Sequence, residues 1–524
     1  MKVLLVTGAL AENSVKHYAQ KSNVETQVLK LPIQVAALLK LPNIAKQLQK
    51  TSLKDVDAIL VPGLIRGDTS VVTDCVGVKT FKGPRYAADL PTVLDSLEKI
   101  ELSTVTPACD LLREELQRKA LQELELVENN KEQLLKKPGN MAIKNLAFGK
   151  DFPMRVMAEI VDAPLMSCEE LQRTAKRYVK SGAHIIDIGM IAGDPRPTQA
   201  QQAVETVKEV VNVPISIDTL DPIESRAAVS AGANLILSLD AGNLKEVASF
   251  ASEVAVVAIP TNQREGYFPK TVDDRVAFME QIISKARKLG VNNILADLIV
   301  EPMNVLRSFV AFGEFSKRNP EVPLFVGATN FTELIDADSV GVNALLATLS
   351  SEVNGSILLA TEKSTKNKGT IRELATASKM MFLAKKRGSV PKDLGLDLLI
   401  LKDKRLRQEP YNTEMEADAQ VVFATERRDP EVMDEKGIFK IAVDHIAGNI
   451  VALYLTDDQA EKPTIVIKGK SAENVFSKIE EMKLITRMDH AAYLGRELAK
   501  AEIALKTKKE YIQDQPLFKE SFDF

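Results

Sequence analysis

The chain of 524 residues contains no tryptophan, three cysteines and four histidines. Cys75, Cys109 and Cys168 show no paired spacing, which argues against a zinc site or a disulfide framework and predicts free thiols in a reducing compartment. No apolar run approaches the about 18 residues that span a membrane, and the apolar start Val3–Gly8 is too short for a signal peptide. We therefore expect a cytoplasmic protein without a membrane span.

An excess of one charge sign is also lacking. Lys and Arg total 68 and Asp and Glu total 72, a formal net charge of −4, and no dense basic cluster is interleaved with aromatic residues. The composition therefore argues against nucleic acid as a partner. The Gly-x-Gly-x-x-Gly and phosphate-loop patterns are absent as well. A chain of this length exceeds one hydrophobic core and predicts about three domains.

The chain does contain one module that repeats eight times between residues 154 and 383: a β-branched run, a loop rich in Gly, Asp or Asn, and a helical stretch. Continuous apolar runs indicate strands buried on both faces. The repeat predicts a closed TIM (β/α)8 barrel whose last helix is Ile371–Lys386. The predicted strands are Arg155–Ile160, His184–Ile188, Pro214–Ile217, Asn234–Ser238, Val254–Ile259, Asn293–Ala296, Pro323–Val326 and Ser356–Leu359.

Polar side chains gather at the carboxyl ends of these strands, where enzymes of this fold carry their chemistry. One buried carboxylate could simply be satisfied by loop amides. Several polar groups that converge on one mouth predict instead the binding of an uncharged heterocycle with N–H donors and a carbonyl acceptor, because buried polar groups need partners. The candidates are Asp187, Asp194, Arg196, Asp218, Ser238, Asp240, Asp297, Asn330, Glu362 and Lys363. No metal ligand set is predicted.

Three stretches carry a family resemblance: Ser181–Met190, the pair Arg196-Pro197, and Val213–Pro222 followed by Arg226–Asn234. They resemble the pterin-binding barrel of dihydropteroate synthases, which corrinoid-linked methyltransferases share. With its flanking segments, the whole chain resembles the archaeal dihydropteroate synthase-related proteins.

The resemblance implies roles for individual residues. Asp218 and Asp297 would contact the N–H and amino groups of the pterin ring, and Asp187 would shape the pocket floor. Asn330 would lie near N5 of the pterin, as in the methyltransferase branch. An asparagine that both branches carry on strand four falls here near Leu237 or Ser238.

The anion-handling elements of the synthase branch are replaced. Its strand-one loop reads Glu159–Pro164 here, its element after strand seven reads Ala328–Phe331, and its element after strand eight reads Thr361–Lys363. Expelling pyrophosphate requires positive charge at the leaving group, and the mouth offers only Arg196 and Lys363 as obvious cations. A methyl transfer requires less: a bound reduced pterin, a polarised N5 and a strong nucleophile.

Three functions follow. The sequence favours a transferase that binds tetrahydromethanopterin or a related reduced pterin and passes on a methyl group, with Asn330 and Asp297 as catalytic residues. Alternatives are a synthase that condenses a dihydropterin pyrophosphate with an arylamine, and a non-catalytic pterin-binding or assembly factor. A corrinoid protein or methyltransferase complex is an expected partner, and we expect a homodimer.

Two further α/β domains are predicted to flank the barrel at residues 151–387. Residues 1–110 are read as a Rossmann-like α/β domain with parallel strands at Val3–Thr7, Glu25–Leu29 and Ala58–Val61. The glycines that follow the first and third strands are read as tight turns rather than ligand loops. Residues 111–150 are read as a helical connector.

Residues 388–524 are predicted to form a C-terminal α/β domain with a long helix from about Met488. It resembles, distantly, the corrinoid-carrying subunit of the tetrahydromethanopterin methyltransferase. That resemblance raises a cobamide as a second cofactor, with His445 or His490 as its lower ligand; ordinary hydrogen-bonded histidines are the alternative. The predicted strands are Asp397–Leu401, Ala419–Ala424, Phe439–Val443, Ile450–Tyr454 and Thr464–Lys468.

Overall fold

A computed structural model describes residues 1–404, 420–424, 433–457 and 460–518. The chain divides into two compact units. Unit 1 consists of residues 1–126 and 389–425, and unit 2 of residues 127–388 and 426–524. Within the described residues, no helix is long and apolar enough to cross a membrane.

Unit 1 contains a parallel sheet of four strands in the order β2-β1-β3-β4. The three predicted strands are confirmed, and β4 is an addition. A Cβ on Gly63 would lie 2.5 Å from the Gly83 carbonyl oxygen. Only glycine therefore lets the two backbone segments approach this closely, as the predicted tight turn requires. The strands are β1 Lys2–Thr7, β2 Glu25–Lys30, β3 Ala58–Val61 and β4 Thr80–Lys82; the helices are α1 Glu12–Ala19, α2 Leu41–Leu48, α3 Ser70–Val76, α4 Leu90–Leu94 and α5 Ala108–Asn129.

A β-hairpin precedes the barrel. After α6 (Lys131–Leu134), strands β5 (Asn140–Ile143) and β6 (Leu146–Gly149) pair antiparallel. Residues 140–149 are therefore not helical, contrary to the predicted helical connector over 111–150. The apolar side chains of Ile143 and Phe148 pack into the same core as the barrel strands, and this tertiary burial overrides local propensity. Arg155 Nε, at the start of β7, donates to the Ala147 carbonyl at 2.7 Å, so the hairpin lies at the amino-terminal end of the barrel.

The predicted (β/α)8 barrel is confirmed: eight parallel strands close with β14 beside β7. Sequence signals set its helix ends, as in α7, where Ser167 and Glu170 form a capping box and Gly182 ends the helix in the left-handed conformation. The strands are β7 Arg155–Ile160, β8 Ile185–Gly189, β9 Ile215–Asp218, β10 Leu235–Leu239, β11 Ala255–Ala258, β12 Ile294–Ala296, β13 Leu324–Val326 and β14 Gly355–Thr361. The helices are α7 Cys168–Ser181, α8 Pro197–Lys208, α9 Pro222–Ala231, α10 Leu244–Ala248, α11 Val272–Lys288, α12 Val305–Arg318, α13 Thr329–Thr332, α14 Ser339–Glu352 and α15 Thr370–Arg387.

The segment that follows the barrel returns to unit 1. Residues 397–401 form no strand, so the predicted strand Asp397–Leu401 is wrong. A Cβ on Gly395 would collide with the carbonyl of Leu116 in α5, and Leu394 is buried. Residues 394 and 395 thus hold the segment against α5, whereas Leu399, Ile400 and Leu401 of the predicted strand are exposed. Of the predicted strand Ala419–Ala424, position 419 lies outside the described residues and 420–424 form no strand.

The rest of the C-terminal prediction is confirmed. Strands β15 (Ile438–Asp444), β16 (Asn449–Leu455) and β17 (Ile465–Gly469) form an antiparallel sheet, and α16 (Ala472–Glu481) and α17 (Met488–Thr507) follow. Alternating side chains of β15 and β16 pack with one face of α17 in a separate core. We call β15–β17 with these two helices the C-terminal domain.

Candidate functional site

Three carboxyl groups meet at the mouth of the barrel. Glu159 on β7 stands in register with Asp187 on β8, and Asp218 ends the next strand, β9. One carboxyl oxygen of each lies within 4.8 Å of the others. The two aspartates are predicted from sequence, whereas Glu159 is predicted only as part of a replaced loop. Its polar side chain in an otherwise buried strand was the signal that could have placed it in the site.

Asp187 lies at the floor of this cluster and is fully buried. Its Oδ1 accepts a hydrogen bond from Ser216 Oγ at 2.5 Å, whereas its Oδ2 has no hydrogen-bond partner among the described residues. Burial, reinforced by the negative charges of Asp218 and Glu159, raises the pKa of Asp187 well above its ordinary value. Asp187 therefore favours the neutral acid, which can donate a hydrogen bond.

The other carboxyl groups of the mouth titrate closer to neutrality. Burial raises the pKa of Asp218 to about 6. Burial, followed by repulsion from Asp218, raises the pKa of Glu159 to about 8. Asp297 follows β12, is 8% exposed and accepts a hydrogen bond from the Ile299 N–H at 2.8 Å; burial raises its pKa to about 7. The mouth thus contains carboxyl groups that can either accept or donate a proton near pH 7.

This arrangement has two chemical uses. Carboxyl groups in a dry cup match the N–H and amino groups of a heterocycle, because each buried donor of the ligand finds an acceptor. Glu159, Asp187 and Asp218 also offer three oxygen atoms at a separation suited to a hard divalent cation. Protons and a cation are alternative ways of neutralising the same buried charge.

Asn330 lies in α13, directly after strand β13, and is exposed. Its side chain folds over Gly327: a Cβ there would lie 2.7 Å from Asn330 Nδ2. The glycine therefore leaves room for the amide.

Ser238 lies on β10, where its N–H donates to the Thr219 carbonyl at 3.2 Å and its carbonyl accepts from Asn243 Nδ2 at 3.0 Å. Its hydroxyl as a ligand contact stays a prediction.

Asp240 is engaged by its own loop. Its Oδ1 accepts from the N–H groups of Gly242 and Asn243, and its Oδ2 accepts from the Thr261 hydroxyl and the Gln263 N–H, at 2.7 to 3.1 Å. Four donors satisfy both oxygens of this buried carboxylate. Asp240 therefore stabilises the β10–α10 loop, and its contact with a ligand stays a prediction.

The two predicted cations differ in their surroundings. Lys363 forms an ion pair with Asp162, Nζ to Oδ2 at 2.5 Å. Arg196 donates its backbone N–H to Glu224 at 2.7 Å, and one buried guanidinium nitrogen has no hydrogen-bond partner among the described residues. The charge of Lys363 is therefore already balanced within the protein, whereas Arg196 retains a donor for a ligand.

The two histidines of the C-terminal domain each use one ring nitrogen in a hydrogen bond. His490 Nδ1 lies 3.1 Å from Asp434 Oδ2, and His445 Nε2 lies 3.1 Å from the Lys509 carbonyl. These contacts match the alternative of ordinary hydrogen-bonded histidines. A cobamide ligand role for either stays a prediction.

A pH-dependent stability follows from Asp297. Because its pKa in the folded state lies near 7 and that of an unfolded aspartate near 4, the stability it contributes is present below about pH 4 and lost as the pH rises through about 7. We expect Asp297→Asn to remove this loss. The difference between the melting temperatures of Asp297→Asn and wild type, measured by circular dichroism, should therefore rise by on the order of 5 °C from pH 5 to pH 8. Glu253→Gln, at an exposed position, is the control. Parallel curves for Asp297→Asn and wild type would contradict the burial of this charge.

Parts of the chain match known protein families, and the whole chain matches a known protein. A model of pterin binding enzymes matches residues 161–330, a model described as PterinBD-DUF4346 matches residues 433–514, and a family of unknown function matches residues 1–85. An uncharacterized protein of Methanocaldococcus jannaschii is 41% identical over 537 residues, which cover 99% of each chain. The chain belongs to the family of this archaeal protein. Asp187, Asp218, Asp297 and Asn330 lie in the segment that matches pterin binding enzymes, whereas Glu159 and Lys363 lie outside it.

Dihydropteroate synthases are more distant relatives. The enzyme of Bacillus subtilis is 29% identical over 136 residues, which cover 24% of this chain and 48% of that protein. The solved structure of the Yersinia pestis enzyme with a pterine-sulfa conjugate shares 17% identity with a TM-score of 0.39, and the match covers 47% of this chain and 99% of that one. The match of residues 161–330 to pterin binding enzymes confirms the predicted resemblance to a dihydropteroate synthase-related, pterin-binding protein.

Proposed function

We propose that the barrel binds a reduced pterin, tetrahydromethanopterin or a relative, and transfers a methyl group from it to an acceptor. The observation that carries the proposal is the pair Asp218 and Asp297, two carboxyl groups at the ends of β9 and β12 within the matched segment. As carboxylates they accept hydrogen bonds from the N–H and amino groups of the ring. Asp187, on the floor, presents an acidic proton to a ring acceptor.

The transfer step breaks the bond between N5 and the methyl carbon and forms a bond between that carbon and the nucleophile. N5 becomes a better leaving group once it is protonated or accepts a hydrogen bond. The amide of Asn330 can serve either form of N5: Nδ2 donates a hydrogen bond to neutral N5, and after rotation Oδ1 accepts one from protonated N5. The acceptor's electron pair makes the new bond, and the electron pair of the broken bond stays on N5.

Isothermal titration calorimetry with 6-methyltetrahydropterin and tetrahydrofolate tests the binding half of the proposal. Single-turnover transfer from an N5-methyl tetrahydropterin to free cobamide and to thiols tests the chemistry. The nucleophile on a corrinoid protein or in a methyltransferase complex is the partner that this reaction requires. Saturable binding without transfer to any acceptor would support the non-catalytic role, and absence of binding by every reduced pterin would refute the proposal.

Condensation of a pterin pyrophosphate with an arylamine is the second candidate. It is supported by the similarity to the Bacillus subtilis synthase and by the unpaired guanidinium nitrogen of Arg196. Against it, Lys363 is paired with Asp162, so little positive charge remains for a leaving pyrophosphate.

We expect pyrophosphate release with 4-aminobenzoate or its ribosyl derivative to be absent or very slow. The reason is the shortage of positive charge at the leaving-group side of the mouth. A coupled pyrophosphate assay, with the Bacillus subtilis synthase as positive control, measures it. Turnover near about 1 s⁻¹, an ordinary enzyme rate, would make condensation the first candidate.

A further inference from the structure

The loop between β14 and α15 contains buried polar groups that no described residue satisfies. Asn367 is fully buried, and neither its amide oxygen nor its amide nitrogen has a hydrogen-bond partner. The hydroxyl of Ser364, in the same turn, is buried without a partner as well. Leaving a buried polar group without a partner destabilises the fold, so three such atoms in one turn indicate a missing polar partner.

The C-terminal domain adjoins this loop within unit 2. A Cβ on Gly369 would lie 3.8 Å from the side chain of Lys508, at the end of α17. In the turn after β15, His445 has a buried Nδ1 without a hydrogen-bond partner. Burial, and then the charges of Lys508 and Lys368, lower the pKa of His445 and favour its neutral ring. Its Nε2 contacts the Lys509 carbonyl and therefore carries the proton, which leaves Nδ1 as an acceptor. The contact at Gly369 places Lys508 beside the residue that follows Lys368, next to the unsatisfied groups of the loop.

The charges around these groups are not balanced locally. Among the described residues, neither Lys368 nor Lys508 forms an ion pair, and both are exposed. The carboxylate of Asp444 accepts hydrogen bonds from the N–H groups of Ile446 and Ala447 in its own turn. Glu362 is occupied by Arg177 and by the first N–H groups of α15. Two lysines therefore remain without a counter-charge.

We propose that Ser364, Asn367 and Lys368 of the barrel loop, together with Lys508 of the C-terminal domain, bind an anionic group on the tail of the pterin. The group is a phosphate or a carboxylate, because these offer several acceptor oxygens and negative charge to hydroxyl, amide and ammonium donors. The inference rests on the proposed function, since it assumes a pterin in the mouth.

The loop between β14 and α15 lies where the tail of a pterin bound in the mouth could reach it. Thr361, the last residue of β14, is in register with Glu159 of the carboxyl cluster. The turn with Ser364 and Asn367 begins three residues later, so it leads outward from the mouth. A ring held by the carboxyl groups would direct its substituent toward this rim. The C-terminal domain would then contribute to substrate selection.

The test compares reduced pterins with and without an anionic tail. We expect the full chain to bind tetrahydrofolate, which bears two tail carboxylates, at least about tenfold more tightly than 6-methyltetrahydropterin at low salt. Lys368→Ala should remove most of this difference and leave the affinity for 6-methyltetrahydropterin unchanged. Lys317→Ala, which removes an exposed lysine on α12, is the matched control. Competition by inorganic phosphate and by glutarate distinguishes a phosphate from a carboxylate site.

Each outcome bears on one statement. If both pterins bind equally well, or if Lys368→Ala and Lys317→Ala behave alike, the tail site is wrong and the proposed function stands. If neither pterin binds, the proposed function fails, and calorimetry with inorganic phosphate decides the site alone: binding that Lys368→Ala weakens supports an anion site, and no binding overturns it.

Discussion

Replacing Asp218 or Asp297 by alanine is expected to weaken reduced-pterin binding by roughly 2–4 kcal/mol, about 30- to 1000-fold in Kd. Each substitution removes a carboxylate and leaves an N–H or amino group of the ligand buried without an acceptor. The measurement is isothermal titration calorimetry at pH 8, above the pKa of about 6 for Asp218 and of about 7 for Asp297.

The exposed substitution Glu253→Gln is the control for this experiment, and circular dichroism checks that the barrel remains folded. Unchanged affinity in both alanine variants would remove these aspartates from the site. A loss for Asp218→Ala alone would place the ring nearer to β9 and the Glu159 carboxyl than to β12.

Replacing Asn330 by alanine should lower the rate of methyl transfer by on the order of 10- to 1000-fold while changing pterin affinity much less. Only interactions that are stronger in the transition state raise the rate, and the hydrogen bond to N5 strengthens as N5 takes up a proton. Because Asn330 is exposed and its amide lies over Gly327, we expect the substitution to leave the core intact.

Single-turnover kinetics with a methylated pterin and free cobamide measure this effect, and the Kd determined in parallel separates rate from binding. Equal transfer rates in wild type and Asn330→Ala would show that this residue has no part in the chemistry. A fall in affinity as large as the fall in rate would assign Asn330 to ground-state binding instead.

The barrel could be predicted from sequence because its strands are continuous apolar runs bounded by polar strand ends. The eight observed strands differ from the predicted ones by at most two residues at either end. The same polar ends located Asp187, Asp218 and Asp297. Here local pattern and tertiary structure agree, which is the condition under which sequence reasoning succeeds.

The errors arose where long-range packing decided the structure. The hairpin of β5 and β6 forms because Ile143 and Phe148 have a core to enter, and nothing local reveals that core. Asp397–Leu401 is apolar enough for a strand but does not pair with one. In the sequence, Glu159 is not distinguished from the replaced loop that follows it; its register with Asp187 in the barrel places it in the carboxyl cluster.

The return of residues 389–425 to unit 1 has a consequence for synthesis on the ribosome. Unit 1 is discontinuous: its first part emerges before the barrel, and its last part emerges only after the final barrel helix, α15. The contact between Gly395 and Leu116 joins positions almost 280 residues apart in the chain. Until the barrel has been translated, α5 therefore lacks the contact that Gly395 makes at Leu116. Because such long-range contacts form late, we expect unit 1 to complete its folding after the barrel has emerged.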